Sequence, residues 1–278
     1  MRVIRTAAEM REVRRVLTGS VGLVATLGGL HRGHSAHLDT IRSHCNVMIG
    51  SLFLNPTQFG ENEDLSTYPS NETSDLAEFE KHGADFVFVP SQEEIYPPGE
   101  ILTVVDPGPV ANLLEGVQRP GHFEGVATVV ARLFSIISPT KATFGEKDAQ
   151  QLRIIQHVNE SLSFGIEIIP IPTVREEDGL AISTRNIYLS PQERQAATVL
   201  FKALTVAKLS FDSGERSGEV LRVMLNSILS REPLAEVDYA SIADVDTFEE
   251  LDEVNYSAQA LLAVKIGNAR LIDNFLLV

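Results

Sequence analysis

Short apolar runs alternate with amphipathic stretches through the first two thirds of the chain. The runs are short and rich in branched and aromatic residues, as buried strands are, and they lie at 21–25, 47–54, 86–89, 142–144 and 166–169. The stretches between them place apolar residues at helical spacing between cap and stop residues, at 7–17, 34–43, 75–82, 125–137 and 148–162. This order predicts an α/β fold with a doubly wound parallel sheet.

The pattern changes after Pro172. A charged loop at 175–186 precedes a helix that opens at Ser190-Pro191, a second helix near 218–230, and three strand patterns at 237–242, 260–266 and 270–276. Proline at a first helical position after serine is a common helix start. We therefore expect two domains, 1–174 and a smaller α+β domain at 175–278.

Composition narrows the functional classes. The chain has 278 residues, 44% of them hydrophobic, and a formal net charge of −15, which disfavours nonspecific binding to nucleic acid or to anionic membranes. Its single cysteine, Cys45, excludes an internal disulfide and fits a reducing compartment. No signal peptide or membrane-spanning run is evident. We expect a cytoplasmic protein in which any anionic ligand meets a local cluster of positive groups.

The segment at 25–34 carries the most chemistry. It follows the first predicted strand and leads into a helix, the junction where doubly wound sheets bind ligands. Gly28, Gly29 and Gly33 allow close backbone approach to a nucleotide, and His31 and His34 lie three apart on the first helical turn. Imidazole N–H groups can stabilise charge on phosphate oxygens. A glycine turn with two surface histidines is the alternative for this string alone. No P-loop or dinucleotide-binding motif occurs.

A second candidate loop is Gly145-Glu146-Lys147-Asp148, again between a strand and a helix, with Gln151 one turn further on. Lys147 can direct its charge at phosphates, and Asp148 can accept from a ribose hydroxyl. In isolation, Asp148 as a helix cap and Lys147 as a solvated neighbour explain the string better.

Two further segments offer polar groups. Ser183, Thr184 and Arg185 place two hydroxyls beside a guanidinium, which suits a mobile phosphate clamp as well as it suits a surface turn. Asn55 and Gln58 flank a proline turn after the second strand, and their amides fit either neutral substrate recognition or turn formation.

Taken in order, these segments resemble the pantothenate synthetase family, the pantoate–β-alanine ligases of the H-x-G-H nucleotidyltransferase superfamily. The resemblance covers nearly the whole chain. Further matching strings are Asp64-Leu65-Ser66-Thr67-Tyr68-Pro69, Glu94-Ile95-Tyr96-Pro97-Pro98-Gly99, Leu114-Glu115-Gly116, Arg119-Pro120-Gly121-His122-Phe123, Pro172-Thr173-Val174-Arg175-Glu176 and Arg270-Leu271-Ile272-Asp273-Asn274.

The resemblance implies a Rossmann-like N-terminal domain, a smaller C-terminal lid domain, a homodimer, and a two-step reaction of pantoate, β-alanine and ATP with Mg²⁺. It makes His34 the catalytic acid and His31 a phosphate contact, and with Lys147 and Arg185 these form the catalytic group. It implies that Gln58, Gln151 and nearby Asn55 bind pantoate, with Gln58 also reaching β-alanine. The ATP contacts that it implies are Leu27, Gly28, Gly29, Leu30, His31, Arg32, Gly33, His34, Gly145, Glu146, Lys147, Asp148, Val174, Ile182, Ser183, Thr184 and Arg185.

The chain departs from the family pattern in a few places. Ala25, Leu27, Gly29 and Arg32 replace the usual proline, methionine, alanine and glutamate, and we expect the Arg32 side chain to face outward. Ser70-Asn71 replaces Arg-Thr, Thr184 replaces serine, and Asn268 replaces a common lysine. At Ser74-Asp75 the chain has one carboxylate where some relatives have two, which leaves Asp75 as a metal candidate. Two interpretations compete with this one. The chain could be another nucleotidyltransferase of the superfamily, or a nucleotide-binding regulatory module without turnover.

Overall fold

The computed structural model describes residues 1–61, 63–99 and 102–278. The N-terminal part contains six strands, and their bounds are β1 Arg2–Ile4, β2 Val21–Thr26, β3 Val47–Leu52, β4 Phe86–Phe88, β5 Lys141–Gly145 and β6 Glu167–Ile171. The helices between them are α1 Ala7–Val16, α2 Arg32–His44, α3 Glu72–Lys81, α4 Gln92–Ile95, α5 Glu115–Gln118, α6 His122–Ile137 and α7 Ala149–Ser161.

The six strands form one parallel sheet in the order β1-β4-β3-β2-β5-β6. Strand order reverses between β2 and β5, where Gly22 to Val24 pair with Lys141 to Thr143. In open α/β sheets such a switch leaves a crevice at the carboxyl ends of the two strands. The loops that follow Thr26 and Gly145 therefore face each other across one crevice.

Two apolar clusters cover the faces of this sheet. The larger cluster packs α1 and α6 against one face, with Met10, Phe134 and Ile49 almost fully buried. The other packs α2 and α3 against the opposite face around Leu38 and Phe79. Burial on both faces explains why these strands are continuous apolar runs rather than alternating ones.

The C-terminal part contains three helices, α8 Pro191–Ala196, α9 Thr198–Asp212 and α10 Gly218–Leu229, and three strands, β7 Ala235–Asp244, β8 Ala258–Ile266 and β9 Ala269–Leu277. The strands form an antiparallel sheet in that order, and the helices bury one face of it in a separate core. Arg270 on β9 reaches the N-terminal part, where both of its terminal nitrogens bind the Glu115 carboxylate at 2.7 and 2.8 Å.

The sheet class, the five strands and five helices predicted for the N-terminal part, and the three C-terminal strands are confirmed. The prediction was incomplete at β1, α4 and α5, which are three or four residues long and carry little periodicity. The single helix predicted to open at Ser190 is two helices that meet at Ala197. Among the helices of the described residues, none is both long and apolar enough to cross a bilayer.

Candidate active site

The glycine loop after β2 is fixed by hydrogen bonds to an aspartate of α3. The Asp75 carboxylate is buried, and it accepts hydrogen bonds from the backbone of Gly29 at 3.0 Å, Leu30 at 2.8 Å and Asn71 at 3.2 Å. Both of its oxygens are thus occupied by backbone donors. The suggestion from the sequence that Asp75 could bind a metal is therefore corrected to a structural role, because its oxygens already serve the loop.

The same loop needs glycine for its shape. Gly28 and Gly29 adopt φ of +101° and +68°, and a Cβ at Gly29 would lie 2.2 Å from the carbonyl oxygen of Pro69. The amides of Gly29 and Leu30 face Asp75, so they are not donors to a bound phosphate. The glycines set the path of the chain, and other groups must supply the donors.

Two histidines cap helix α2 and become those donors. His31 Nδ1 accepts from Gly33 N at 3.1 Å, and His34 Nδ1 accepts from His31 N at 3.2 Å. A ring nitrogen that accepts a backbone N–H carries no proton, so each neutral ring carries its proton on Nε2. The ring centroids lie 4.1 Å apart. The cap therefore presents a pair of Nε2–H groups in fixed orientation at the start of the helix.

Burial keeps the cleft histidines neutral at physiological pH. Burial, followed by the charge of Lys147, lowers the pKa of His31 to about 4, and burial lowers the pKa of His37 to about 4. Burial, followed by His31, lowers the pKa of His34 well below its usual value. For His122, burial and then the Arg119 guanidinium lower the pKa to about 4. These four rings, hereafter the four cleft histidines, are all neutral N–H donors near pH 7.

The second predicted loop forms a 3₁₀ turn, Glu146–Asp148, between β5 and α7. Lys147 is half-buried with its Nζ 3.7 Å from Asp148 Oδ1. Asp148 occupies the N-cap position of α7, but its side chain makes no capping hydrogen bond. The simple capping role considered for Asp148 is therefore wrong, and its carboxylate faces the cleft beside Lys147.

The third predicted loop meets the first. Thr184 Oγ1 donates to the carbonyl oxygen of Gly29 at 3.4 Å, and Ser183 Oγ accepts from the backbone of Arg185 at 3.3 Å. The Arg185 guanidinium binds the Asp64 carboxylate through two hydrogen bonds of 2.8 and 3.0 Å, and its central carbon lies 5.9 Å from the Tyr68 ring centroid. Arg185 is thus held beside the cleft by a carboxylate from the 60–67 loop.

The two predicted amides after β3 have different roles. Asn55 is fully buried, and its side chain donates to Gln58 Oε1 at 3.0 Å and to the Gly125 carbonyl at 3.2 Å while accepting from the Tyr96 hydroxyl at 2.8 Å. Asn55 therefore orients Gln58, and because it also lies in the cavity wall, its expected contact with substrate stays a prediction. Gln58 itself borders the cleft, as does Gln151 on α7.

Most of the predicted residues surround one cavity of about 260 Å³. An adjoining cavity of about 450 Å³ shares Arg119, Lys147 and Arg185 in its wall. Together the two reach the size range of small-molecule sites. The predicted residues that line the first cavity are Leu27, His31, Gly33, His34, Asn55, Gln58, Gly145, Lys147, Asp148, Gln151, Val174, Ile182, Ser183, Thr184 and Arg185.

Five predicted nucleotide contacts do not line this cavity: Gly28, Gly29, Leu30, Arg32 and Glu146. The first three shape the loop, and Glu146 is exposed to solvent. Arg32 projects outward as expected, with 67% of its side chain exposed and an ion pair to Glu176. As ATP contacts, these five positions stay predictions.

Several cleft residues had no predicted role. His37, Tyr68, Arg119 and His122 all line the cavity. Arg119 binds Glu63 through two hydrogen bonds of 2.6 Å, and His122 Nδ1 donates to the carbonyl oxygen of Gln58 at 2.8 Å. The helical spacing of His31, His34 and His37 could have predicted the third histidine of that face. The other three were part of matching strings whose spatial partners the sequence does not reveal.

The wall of the first cavity carries more cationic than anionic side chains, although the protein is strongly acidic. Among the described residues that line the first cavity, Arg119, Lys147 and Arg185 carry positive charge and Asp148 carries negative charge. Arg119 and Arg185 are ion-paired with Glu63 and Asp64, which line the adjoining cavity, so the expected local positive cluster stays a prediction. The geometry suits a polyphosphate beside a small polar acid, because neutral N–H donors, cations and amides converge on one space.

Comparisons with known proteins agree on one family. The sequence profile of the family described as pantoate-beta-alanine ligase matches residues 2–276. The pantothenate synthetase of Roseiflexus castenholzii is 52% identical over 277 residues, covering 100% of this chain and 99% of its own, and that of Chloroflexus aggregans is 48% identical over 278 residues, covering 100% of both chains.

Solved structures give the same result. The crystal structure of pantothenate synthetase from Thermus thermophilus matches with a TM-score of 0.94 at 42% identity, covering 99% of both chains. A pantoate-beta-alanine ligase from Francisella tularensis, crystallised with a beta-gamma ATP ligand and beta-alanine, matches with a TM-score of 0.82 at 33% identity, covering 99% of this chain and 97% of its own.

Proposed function

The chain belongs to the pantoate–β-alanine ligase family, and on that premise we propose that its cleft condenses pantoate with β-alanine through a pantoyl-adenylate. It is an ATP-dependent ligase that forms an amide bond. The observation that carries the two-step proposal is the convergence of the Nε2–H groups of His31 and His34 with Lys147 and Arg185 on a single cavity. Pyrophosphate and AMP are the other two products.

The first step is a displacement at the α-phosphorus of ATP. The pantoate carboxylate is ionised at neutral pH and needs no general base. One of its oxygens forms a bond to phosphorus while the bond to the bridging oxygen breaks and pyrophosphate leaves. Negative charge builds on the phosphate oxygens, where His31 and His34 donate neutral N–H groups and Lys147 adds its charge. His34 thus acts as a fixed donor in this step, because its buried ring is unprotonated at Nδ1.

Arg185 joins this step by exchanging partners. Its guanidinium is bound to one carboxylate, Asp64, at the edge of the cleft. A triphosphate carries several negative charges and offers the same two-pronged acceptor geometry, so it competes for the guanidinium. The hydroxyls of Ser183 and Thr184 add donors beside it.

The second step forms the amide. The neutral amine of β-alanine attacks the acyl carbon, its nitrogen loses a proton, and the bond from that carbon to the AMP oxygen breaks. Gln58 and Gln151 hold the pantoyl group, with Asn55 fixing the Gln58 amide from behind. A closed cleft keeps water from the mixed anhydride, which would otherwise be hydrolysed.

Magnesium enters this scheme as part of the substrate Mg-ATP. Mg²⁺ commonly keeps several waters and binds through substrate phosphates with one or two carboxylates. Within the described part of the chain, no group of three or more histidine, cysteine, aspartate or glutamate side chains is arranged to hold a metal. Mg²⁺ would neutralise phosphate charge, and Asp148, the one carboxylate among the described residues of the first cavity's wall, would be the residue available to hold it.

The remaining parts of the proposal concern organisation. A division into 1–174 and 175–278 is supported by apolar cores that fall on either side of it. We propose a homodimer from the family resemblance, and a cytoplasmic location from that resemblance and from the single cysteine. Light scattering coupled to size-exclusion chromatography measures the molecular mass in solution and so tests the homodimer directly.

The experiment that tests the two steps separates them. Enzyme in excess over ATP is mixed with pantoate and no β-alanine, and pyrophosphate is measured by rapid quench. We expect one equivalent of pyrophosphate per ATP, retention of the adenylate on the enzyme, and AMP release only after β-alanine is added. A reaction without enzyme is the negative control. Formation of neither pyrophosphate nor adenylate contradicts the proposal, and ATP binding by calorimetry without any product identifies a nucleotide-binding module instead.

A panel of other acids and amines then tests the substrates. We expect pyrophosphate release to require pantoate among small hydroxy acids, and AMP release to require β-alanine among short amino acids. Turnover with an unrelated acid at the rate found for pantoate would favour a different member of the superfamily.

A further inference from the structure

An asparagine of the last strand contacts the loop that carries Lys147. Asn274 lies on β9 and is 7% exposed. Its side-chain nitrogen donates to the carbonyl oxygens of both Glu146 and Lys147, each at 2.9 Å. Two adjacent peptide units on either side of Lys147 are therefore fixed by one side chain from the C-terminal sheet.

Asn274 is itself held on every polar atom of its side chain and on its backbone nitrogen. Gln259, from the neighbouring strand β8, donates to Asn274 Oδ1. The backbone N–H of Asn274 donates to Asp273 Oδ1 at 2.8 Å. The amide group cannot rotate without losing these bonds, so the direction of its N–H groups is set.

The support for Asn274 continues to the third loop of the cleft. Asp273 is 2% exposed and binds Arg175 through two hydrogen bonds of 2.6 and 2.8 Å. The Arg175 guanidinium carbon lies over the adjacent rings of Phe201 and Phe275, at 5.1 and 4.9 Å from their centroids, and the guanidinium donates to the Gly179 carbonyl. Arg175 begins the segment that leads to Ser183 and Arg185. One polar chain thus joins both cationic loops of the cleft.

We propose that Asn274 is a positioning residue for Lys147 in the adenylation step, which rests on the function proposed above. Lys147 lies in a short 3₁₀ turn, where hydrogen bonds are poorer than in an α-helix. Fixing the peptide units before and after its Cα fixes the direction of its Cα–Cβ bond, and so the region that its ammonium can reach. A misplacement of about 1 Å can cost a reaction on the order of 100-fold, which makes such support effective.

A simpler alternative is that these bonds only attach the C-terminal sheet to the N-terminal part. The two interpretations differ in how the effects of removing Asn274 and Lys147 on the adenylation rate combine. If Asn274 acts through Lys147, removing Asn274 has no further effect on adenylation once the lysine is gone. If Asn274 only stabilises the assembly, the two losses multiply.

The experiment is a double-mutant cycle on the adenylation rate, measured by pyrophosphate release in a single turnover with ATP and pantoate. The variants are Asn274→Ala, Lys147→Ala and the double variant. Asn274→Asp is a second probe with nearly the same shape, in which a carboxylate that cannot donate faces two carbonyl oxygens. Asn226→Ala is the matched control, since Asn226 on α10 also donates to a backbone carbonyl, that of Arg222 at 2.9 Å, but lies outside the cleft wall.

We expect Asn274→Ala to slow adenylation about tenfold, the size of roughly one lost hydrogen bond, and Asn274→Asp to slow it at least as much. The double variant should be no slower than Lys147→Ala, and Asn226→Ala should match the wild type. Thermal unfolding of each variant confirms that it is folded.

Multiplying losses in the double variant, or wild-type rates for both Asn274 variants, overturn the proposal. The wild-type reaction is the internal reference for the function itself. Absence of pyrophosphate from the wild type refutes the proposed two-step reaction, whereas an active wild type with unimpaired Asn274 variants refutes only the positioning role.

Discussion

Replacing His34 separates its two tasks, because each ring nitrogen has one. Nδ1 accepts from His31 N at 3.2 Å and helps to start α2, while Nε2 carries the proton that faces the cleft. An asparagine side chain places its oxygen near the position of Nδ1 but reaches no further. A glutamine side chain is long enough to bring an amide N–H near the position of Nε2.

The expected magnitudes follow from these contacts. Losing one donor to charge that develops in a transition state costs roughly 10²- to 10³-fold in rate, or about 2.7–4 kcal/mol. Losing a helix-cap acceptor costs about 1 kcal/mol of folding stability. We therefore expect His34→Ala to lower both the adenylation rate and the folding stability. His34→Asn should lower the adenylation rate but keep most of the folding stability, and His34→Gln should recover part of the adenylation rate.

The rate is measured by single-turnover pyrophosphate release, and stability by urea unfolding. His44→Asn is the matched control, since His44 ends the same helix and is exposed to solvent. An adenylation rate in His34→Asn equal to that of the wild type would show that Nε2 does not act on the phosphates. The role of His34 would then be confined to the start of the helix.

Three further outcomes follow from other parts of the site. Arg32→Ala should change the KM for ATP less than about twofold, because an exposed ion pair contributes little, whereas Lys147→Ala should raise the KM or lower kcat at least tenfold; equal effects on steady-state kinetics would place Arg32 in the cleft. Gly29→Ala should destabilise the protein by about 1–3 kcal/mol in urea unfolding, because it strains a residue at φ +68° and directs a Cβ at Pro69; an unchanged midpoint would mean that the loop can shift. Stability should be constant above about pH 6.5 and fall as pH decreases towards 4, where the cleft histidines other than His34 have their folded-state pKa.

The sign of this pH effect comes from proton linkage. The four cleft histidines have pKa values that are lower in the folded protein than in the unfolded chain. Between pH 6.5 and 4 the unfolded chain therefore binds more protons, and acidification favours it. Thermal unfolding across this range measures the effect. Stability that rises on acidification from pH 6.5 would contradict the burial of these rings.

Local signals in the sequence were sufficient for much of the site. Glycines and histidines directly after a predicted strand indicated the loop at 25–34, since strand ends and helix starts are short-range features. The same holds for Lys147 and for the Ser183 to Arg185 segment. Their meeting on one cavity could be inferred only from the resemblance to a family.

Contacts between distant parts of the chain could not be predicted. Asp75 is a residue type that binds metals, but its partners are backbone amides 45 and 46 positions away in the chain. Asn55 is a residue type that can contact a polar substrate, but its hydrogen-bond partners Gly125 and Tyr96 lie 70 and 41 positions away in the chain. His122 binds a carbonyl 64 positions away. In each case the residue type was informative and the function depended on tertiary packing.

The reversal of strand order between β2 and β5 also governs when the site can exist. Their neighbouring ends are joined by the Val21 amide and the Thr140 hydroxyl, which lie 119 positions apart in the chain. During synthesis, β2 emerges long before β5 and leaves one backbone edge unpaired until its partner arrives, and such edges are open to pairing with other chains. Pairing of β5 with β2 covers that edge and brings the loops after Thr26 and Gly145 together, so the folding step that assembles the crevice also removes an unpaired edge.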